Sequence, residues 1–137
     1  MGTVYAEISL SNAADAARVR DGQLKEQDLR SATVTALVDT GAMTLVITEK
    51  LYQTLGLTKV GEKVVRTASG QRLACTQTEP VDIHWKNRSS STRAIVVPGA
   101  EDVLLGAIPL EDMDLMVNPV NQELVGIHGD SVECIVM

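Results

Sequence analysis

The sequence predicts one mostly β domain over residues 1–137, with two short helices, and three observations support this. A chain of 137 residues is long enough for one hydrophobic core of ordinary size and short for two. Apolar residues make up 45% of the chain and charged residues 22%, as in soluble globular domains. Apolar and polar residues alternate along most of the sequence, which is the period of strands with one buried face.

The composition also excludes several classes of partner. Aromatic residues make up only 2% of the chain, and Phe is absent, so the sequence lacks platforms for stacking bases. The net charge of -6 repels phosphate backbones and anionic lipid. We therefore expect neither nucleic acid nor a membrane as a partner.

Cysteine usage and the N-terminal residues point to a cytoplasmic protein. Cys75 and Cys134 are too few for a disulfide framework or a structural zinc site, so we expect free thiols. The first residues lack a basic segment followed by a long apolar run, and no stretch approaches the roughly 18 apolar residues of a spanning helix.

The N-terminal part predicts two strands and a long connection between them. Alternation from Val4 to Leu10 indicates a half-buried strand. Residues 11–31 are polar and are interpreted as a solvated connection with room for one helical turn, the alternative being a segment that covers substrate or partner. Residues 33–38 are β-rich and become fully apolar at their end, which indicates a strand that enters the interior.

A third strand and the first helix follow. Residues 43–47 are typical of a buried strand. Residues 48–56 predict a short helix, with Thr48 as its N-cap and Gly56 as its terminator.

Two hairpins come next in the chain. The first has arms at residues 63–67 and 71–76 around Ala68-Ser69-Gly70, and the second has arms at residues 81–85 and 92–97 across residues 87–90.

The C-terminal part predicts a strand, a helix and a last hairpin. Residues 103–106 form a short apolar strand, and residues 108–117 have helical spacing with Pro109 in the first turn. We expect the apolar side chains at the end of this helix, Met113, Leu115 and Met116, to be core residues. The last hairpin pairs residues 124–127 with 132–136 around Gly129-Asp130.

The clearest chemical signal is Asp39-Thr40-Gly41-Ala42, at the end of the strand over residues 33–38. Gly41 can adopt φ values denied to other residues and bring its amide to the Asp39 carboxylate, while the Thr40 hydroxyl can bond the backbone. This arrangement suits an aspartic protease, in which two such carboxylates share a proton and activate one water. Taken alone, the tripeptide is better explained by an ordinary β-turn that uses Asp and Gly, and it is the second motif, Val103-Leu104-Leu105-Gly106, that favours catalysis.

With both motifs, the chain resembles the retropepsin-like aspartic proteases. It is most similar to small prokaryotic single-lobe members, whose strand ends in Ala-Leu-Val-Asp-Thr-Gly-Ala, as residues 36–42 do here. The resemblance runs from Thr33 to Val125 in element order: catalytic loop, strand, short helix, flap hairpin, strand pair, Leu-Leu-Gly and helix. It implies a closed, barrel-like lobe that needs no metal or organic cofactor.

The resemblance also implies a role for each motif residue. Asp39 would be the catalytic carboxylate, and Thr40 would make hydrogen bonds across a subunit interface. Gly41 and Ala42 would close the loop against the strand that carries the second motif, in which the supporting residues are Leu104, Leu105 and Gly106. The hairpin tip would be the flap that closes over an extended peptide, with these residues nearest to the substrate: Thr67, Ala68, Ser69, Gly70 and Gln71.

One departure from the family pattern concerns an ion pair. In the retroviral enzymes an arginine follows the second glycine and pairs with an aspartate shortly after the catalytic loop. Here the corresponding segments are Gly106-Ala107 and Ala42-Met43-Thr44. Both partners are missing together, which is consistent with an apolar replacement of the pair.

Hydrolysis by this route needs two carboxylates, because one takes a proton from water while the other donates one to the carbonyl oxygen. Only Asp39 begins such a motif: Asp130-Ser131-Val132 comes nearest and lacks the glycine. The chain is also too short to contain both lobes of a pepsin-like enzyme. We therefore expect a homodimer with Asp39 of each subunit at a two-fold axis, acting on polypeptide.

Other candidate groups carry weaker signals. Because a metal site needs three or four convergent ligands, His84 and His128 are interpreted as satisfied or solvent-facing side chains. No Gly-x-Ser-x-Gly is present for a serine hydrolase. Cys75 is interpreted as a half-buried apolar residue on the flap hairpin.

Three functions follow from these observations. The leading one is an aspartic endopeptidase. The second is a catalytically silent peptide-binding or assembly module with the same fold. The third is a structural β-barrel with a fortuitous Asp39 turn, in which the two motifs would lie apart.

Overall fold

Two sheets make up most of the computed structural model, which describes residues 3–134 and 136. The larger sheet has seven strands: β1 (Tyr5–Asn12), β2 (Ser31–Val38), β3 (Leu45–Ile47), β4 (Lys59–Arg66), β5 (Arg72–Trp85), β6 (Arg88–Val96) and β7 (Val103–Leu105). The smaller sheet pairs β8 (Leu115–Asn118) with β9 (Glu123–Gly126). The helices are short: α1 (Ala13–Arg20), α2 (Glu49–Thr54), α3 (Ala107–Asp112) and one 3₁₀ turn (Glu26–Asp28). None of the described helices is long and apolar enough to cross a membrane.

Six strands close into a barrel in the order β1-β2-β7-β3-β6-β5, because β1 pairs with β2 on one side and with β5 on the other. β4 is added to the outer edge of β5, so β4 and the first half of β5 extend from the barrel as a long hairpin. The predicted mostly β, barrel-like fold is confirmed.

The core is aliphatic, as a sequence without Phe requires. Along β1, exposed and buried residues alternate from Tyr5 to Leu10, so one face of the strand points into the barrel. The largest side chains that are almost fully buried in the core are Ile8, Leu10, Leu45, Ile47, Leu55, Ile83, Leu105 and Met113. Burying each of these contributes about 1.5–3 kcal/mol.

Two parallel strands bring the two sequence motifs together. β2 and β7 pair in parallel, with Val38 opposite Leu105, so both strands end at the same edge of the barrel. β3 then lies antiparallel to β7 and parallel to β6. Asp39 and Gly106, each the next residue after its strand, are therefore neighbours in space.

The connection over residues 11–31 contains more helix than expected. The Asn12 side chain accepts a hydrogen bond from the Asp15 N–H at 3.1 Å, which caps the two-turn helix α1. The Asp15 carboxylate is 3% exposed and accepts bonds from Arg30 Nε at 2.8 Å and Nη2 at 2.9 Å. These hydrogen bonds lower the pKa of Asp15 and attach the helix to the start of β2.

The second hairpin has a tighter turn than predicted. β5 and β6 are joined by Lys86-Asn87 alone, with Lys86 at φ 50°, and Trp85 pairs with Arg88. Arg88 to Ser90, expected in the turn, therefore belong to β6. The short α2 agrees with its prediction: Thr48 caps it through a 3.1 Å bond from the Leu51 N–H, and Gly56 follows it at φ 58°.

The C-terminal predictions need three corrections. The helix over residues 108–117 is wrong at its end, because α3 stops at Asp112, Asp114 has φ 56°, and residues 115–117 pair with β9. Met113 and Leu115 are buried as expected, but Met116 is 45% exposed. The last hairpin is also wrong: β9 pairs with β8, and residues 132–134 and 136 form no strand, while Ile135 lies outside the described residues.

Candidate active site

Asp39 is held by backbone contacts on both sides of its motif. Its N–H donates to the Leu105 carbonyl oxygen at 3.0 Å, and its own carbonyl accepts from the Ala42 N–H at 3.1 Å. Its Oδ1 accepts a hydrogen bond from the Gly41 N–H at 2.9 Å. The carboxylate is half-buried, so it is fixed in position while one side remains accessible.

Gly41 is needed for space rather than for an unusual φ. It does not belong to the glycines with positive φ, which differs from the sequence expectation. A Cβ at this position would lie 3.1 Å from Asp39 Oδ1, closer than most Cβ contacts. A side chain here would therefore press on the carboxylate that the Gly41 amide binds.

Gly106 packs tightly against the backbone of the segment that follows Asp39. A Cβ there would lie 2.6 Å from the Ala42 carbonyl oxygen and 2.8 Å from the Thr44 nitrogen, and closer still to the Thr44 carbonyl oxygen. Only glycine lets the start of α3 pass this near to the Asp39 loop.

Backbone hydrogen bonds connect the motifs where the retroviral pattern has an ion pair. The Ala107 N–H donates to the Ala42 carbonyl at 2.8 Å, and the Ile108 N–H donates to the Met43 carbonyl at 2.9 Å. The apolar side chains of Met43 and Ile108 both line the adjacent cleft. The two motifs are therefore in contact, which disagrees with a fortuitous Asp39 turn in a structural barrel.

The tip of the β4–β5 hairpin is organised by its own hydrogen bonds. The Thr67 N–H donates to the Gln71 carbonyl at 2.8 Å, and the Gly70 N–H donates to the Thr67 carbonyl at 2.9 Å. The Thr67 and Ser69 hydroxyls are 2.9 Å apart, and Gly70 has φ 85°. The turn is thus closed, and its tip is exposed except for the half-buried Thr67.

A cleft of about 890 Å³ lies between the Asp39 loop and this hairpin. The sequence-predicted residues that line it are Asp39, Gly41, Ala42, Thr67, Ala68 and Leu104. The remaining predicted residues lie outside its lining: Thr40, Ser69, Gly70, Gln71, Leu105 and Gly106. Of these, Thr40 is exposed on the motif, and Leu105 and Gly106 are buried beneath it.

Sequence reasoning missed most of the cleft wall. The additional lining residues come from the segment after Asp39 and β3, from β4, β5 and β6, from the connection between β6 and β7, and from the start of α3: Met43, Thr44, Val46, Lys63, Val64, Val65, Arg66, Gln77, Thr92, Arg93, Ile95, Val97, Ala100 and Ile108. The only signal for them was position, because they flank the two motifs or belong to the predicted hairpins.

A second polar cluster lies outside the cleft and binds the C-terminal segment. The buried Arg88 guanidinium donates from Nη1 to the carbonyls of Met113 at 2.9 Å and Asp114 at 2.7 Å, and from Nη2 to the Gly129 carbonyl. Asp114 Oδ2 lies 2.7 Å from His128 Nδ1. This hydrogen bond lowers the pKa of Asp114 and raises that of His128.

The structure also bears on the weaker candidates. Within residues 3–134 and 136, no three His, Cys, Asp or Glu side chains converge as metal ligands. Cys75 and Cys134 are both free thiols. Cys75 is buried rather than half-buried, and burial raises the pKa of its thiol.

Comparisons with known proteins agree with this geometry. Residues 26–121 match the family model described as gag-polyprotein putative aspartyl protease. One solved structure with the same fold is the EIAV protease in complex with the inhibitor HBY-793, at a TM-score of 0.59 and 22% sequence identity. That match covers 81% of this chain and 88% of the other. No curated protein sequence matches the chain.

Proposed function

Because the chain belongs to the gag-polyprotein aspartyl protease family and has the retropepsin fold, we propose that it is an aspartic endopeptidase acting on extended polypeptides. The observation that carries the proposal is the position of Asp39. Its carboxylate opens into the cleft below the β4–β5 hairpin, and the Gly41 amide and the β7–α3 junction hold it there.

The proposed enzyme is a homodimer, because the mechanism needs two carboxylates and each chain supplies one such motif. Three apolar side chains support an additional partner at the cleft: Met43 is 72% exposed, Val64 69% and Ile108 49% in a single chain. A peptide or a second copy of the chain would cover them. Thr40, exposed on the same loop, is the residue we assign to contacts between the two catalytic loops.

In this dimer the two Asp39 carboxylates share one proton, because like charges about 3 Å apart do not both ionise. The ionised carboxylate takes a proton from water as its oxygen attacks the scissile carbonyl, and the protonated one donates its proton to the carbonyl oxygen. The tetrahedral intermediate then collapses: the ionised carboxylate takes a proton from one hydroxyl of the intermediate, the C–N bond breaks, and the amine leaves with the proton of the other carboxylate, so the dyad again holds one proton. No metal or organic cofactor takes part.

We assign the residues around Asp39 to support and to substrate contact. Gly41, Ala42, Leu104, Leu105 and Gly106 keep the carboxylate in place. The hairpin tip from Thr67 to Gln71 closes over the bound peptide, with Thr67 and Ala68 nearest to the cleft.

The direct test compares Asp39→Asn with Asp21→Asn, which removes an exposed carboxylate next to α1. Asp39→Asn should keep the folded structure and the dimer and lose peptide cleavage by at least about a thousandfold. Asp21→Asn should cleave unfolded polypeptide as the wild type does. Turnover by purified Asp39→Asn would contradict the mechanism, and a wild type that is monomeric and inert from acid to neutral pH would favour a silent peptide-binding module.

A further inference from the structure

The cleft is positively charged although the protein is acidic. Lys63, Arg66 and Arg93 line it, and Asp39 is the only carboxylate among the lining residues. The whole chain has a net charge of -6. Positive charge is therefore concentrated in the cleft, although the chain as a whole is negative.

These three cations have no acidic partner among the described residues. The ion pairs of residues 3–134 and 136 use other cations, with Arg30 bound to Asp15, Lys59 to Glu62, and Arg88 and His128 to the acids beside them. Unpaired charges along a cleft with low-dielectric walls focus their field into it. An anionic group bound there would supply the missing partners.

The positions of the cations fit an extended ligand. Lys63 and Arg66 line the cleft from β4, the outer arm of the hairpin above Asp39, and because they are three residues apart in a strand, their side chains leave opposite faces of it. Arg93 lies on β6, where its carbonyl accepts a 3.3 Å bond from the Thr44 hydroxyl in the segment that follows the Asp39 loop. Between them the wall is apolar, with Val46, Ile95 and Leu104.

We propose that the cleft selects acidic peptides: segments with apolar residues near the scissile bond and Asp or Glu where the chain passes Lys63, Arg66 and Arg93. This inference rests on the proposed function, since it requires a peptide in the cleft. In the homodimer the preference is reinforced, because each protomer brings three cations, while the two Asp39 carboxylates share a proton and carry a single negative charge.

The test uses three matched peptides with one apolar centre and flanking Glu, Gln or Lys residues. Wild type should cleave the Glu peptide with a kcat/KM at least about tenfold above that of the Lys peptide at low salt, since each exposed charge pair contributes up to about fivefold. The ratio should fall as salt increases, because exposed charges are screened.

Two triple variants separate the cleft charges from the overall charge. Lys63→Gln with Arg66→Gln and Arg93→Gln should bring the Glu-to-Lys ratio close to one. Arg20→Gln with Lys25→Gln and Lys50→Gln removes the same charge from exposed positions outside the cleft and should keep the ratio of the wild type. An unchanged ratio in the first variant, or equal cleavage of the Glu and Lys peptides by the wild type, would overturn the proposal.

Binding separates failure of this inference from failure of the proposed function. Fluorescence anisotropy of the same peptides on Asp39→Asn measures the preference without turnover. If no peptide is cleaved by the wild type but the Glu peptide binds best, the selectivity stands and the proposed activity fails. If Glu and Lys peptides bind equally, the selectivity is wrong whatever the enzyme cleaves.

Discussion

At Gly106 the second motif lies so close to the backbone of Ala42 and Thr44 that there is no room for a methyl group between them. The Ala42 and Thr44 backbone atoms that a Cβ would meet belong to the segment that fixes Asp39. Because these atoms are backbone, they cannot rotate away as a flexible side chain would. Tight packing at Gly106 therefore helps to determine where the Asp39 carboxylate lies.

Gly106→Ala should lower both stability and activity. We expect the free energy of unfolding to fall by about 1–3 kcal/mol, the usual cost of overpacking, and the Asp39 loop to shift. Gly61→Ala is the matched control, because a Cβ at Gly61 meets only the Gln77 side chain, at 3.6 Å. Urea unfolding and peptide cleavage measure both effects, and a Gly106→Ala protein as stable and active as Gly61→Ala would contradict the steric argument.

At the scale of elements, the C-terminal segment after β9 is attached through side chains rather than through a sheet. The Glu133 N–H donates to Asp114 Oδ2 at 3.2 Å, and His128 Nε2 lies 3.2 Å from Glu133 Oε2. A protonated His128 donates from both ring nitrogens, to Asp114 and to Glu133, whereas the neutral ring has one N–H and loses one of these bonds. Arg88, which faces the same carboxylate at 3.9 Å, opposes protonation of His128 without removing its raised pKa.

This cluster should make attachment of the C-terminal segment depend on pH. His128 has a raised pKa in the folded protein. Its contribution to the attachment of the C-terminal segment is therefore complete below its ordinary pKa of 6.5 and is lost as the pH rises through the folded-state pKa. Asp114 has a lowered pKa, so its contribution is complete above 3.8 and is lost as the pH falls through its folded-state pKa. The attachment should thus be strongest between pH 3.8 and 6.5.

Hydrogen-exchange protection of the Glu133 amide, followed by NMR, measures this effect. Protection should fall as the pH is raised from acidic to alkaline, both in the wild type and in His84→Gln, which removes the other histidine of the chain. His128→Gln should show no such fall. The same pH dependence in His128→Gln would exclude His128 as the titrating group.

The elements also show why some of the fold follows from sequence and some does not. β1 was predictable because one face of the strand is buried, and the Asp39 loop because its residues directly follow an apolar strand. The strand that begins at Leu115 was not predictable, because its apolar run fits a helix equally well and only the tertiary pairing with β9 makes it a strand. The burial of Arg88 depends on carbonyl groups 25 to 43 residues later, which no local pattern encodes. The cleft cations of β4 look like an ordinary solvated strand until the hairpin places them above Asp39.

At the scale of the whole molecule, the proposed chemistry belongs to neither chain alone. A dyad made from two copies of Asp39 predicts that activity depends on the concentration of dimer, so specific activity should fall on dilution through the dimer dissociation constant. A mechanism that used one carboxylate per chain would show no such fall. Dilution can also lower the activity of an enzyme that unfolds easily. A second experiment must therefore change the composition of the dyad while the protein concentration stays constant.

Mixing the wild type with Asp39→Asn provides that experiment. If the protomers exchange at random, an equal amount of the variant leaves about half of the wild-type chains in wild-type dimers, and a threefold excess leaves about a quarter. Because a mixed dimer has one carboxylate and one amide at its axis, it lacks the shared proton and should be inactive, so total activity should fall to the same fractions. Asp21→Asn, whose dimers keep both Asp39 carboxylates, should cause no loss at any ratio. Activity that stays constant as Asp39→Asn is added, with exchange verified by mass spectrometry, would show that one Asp39 is enough.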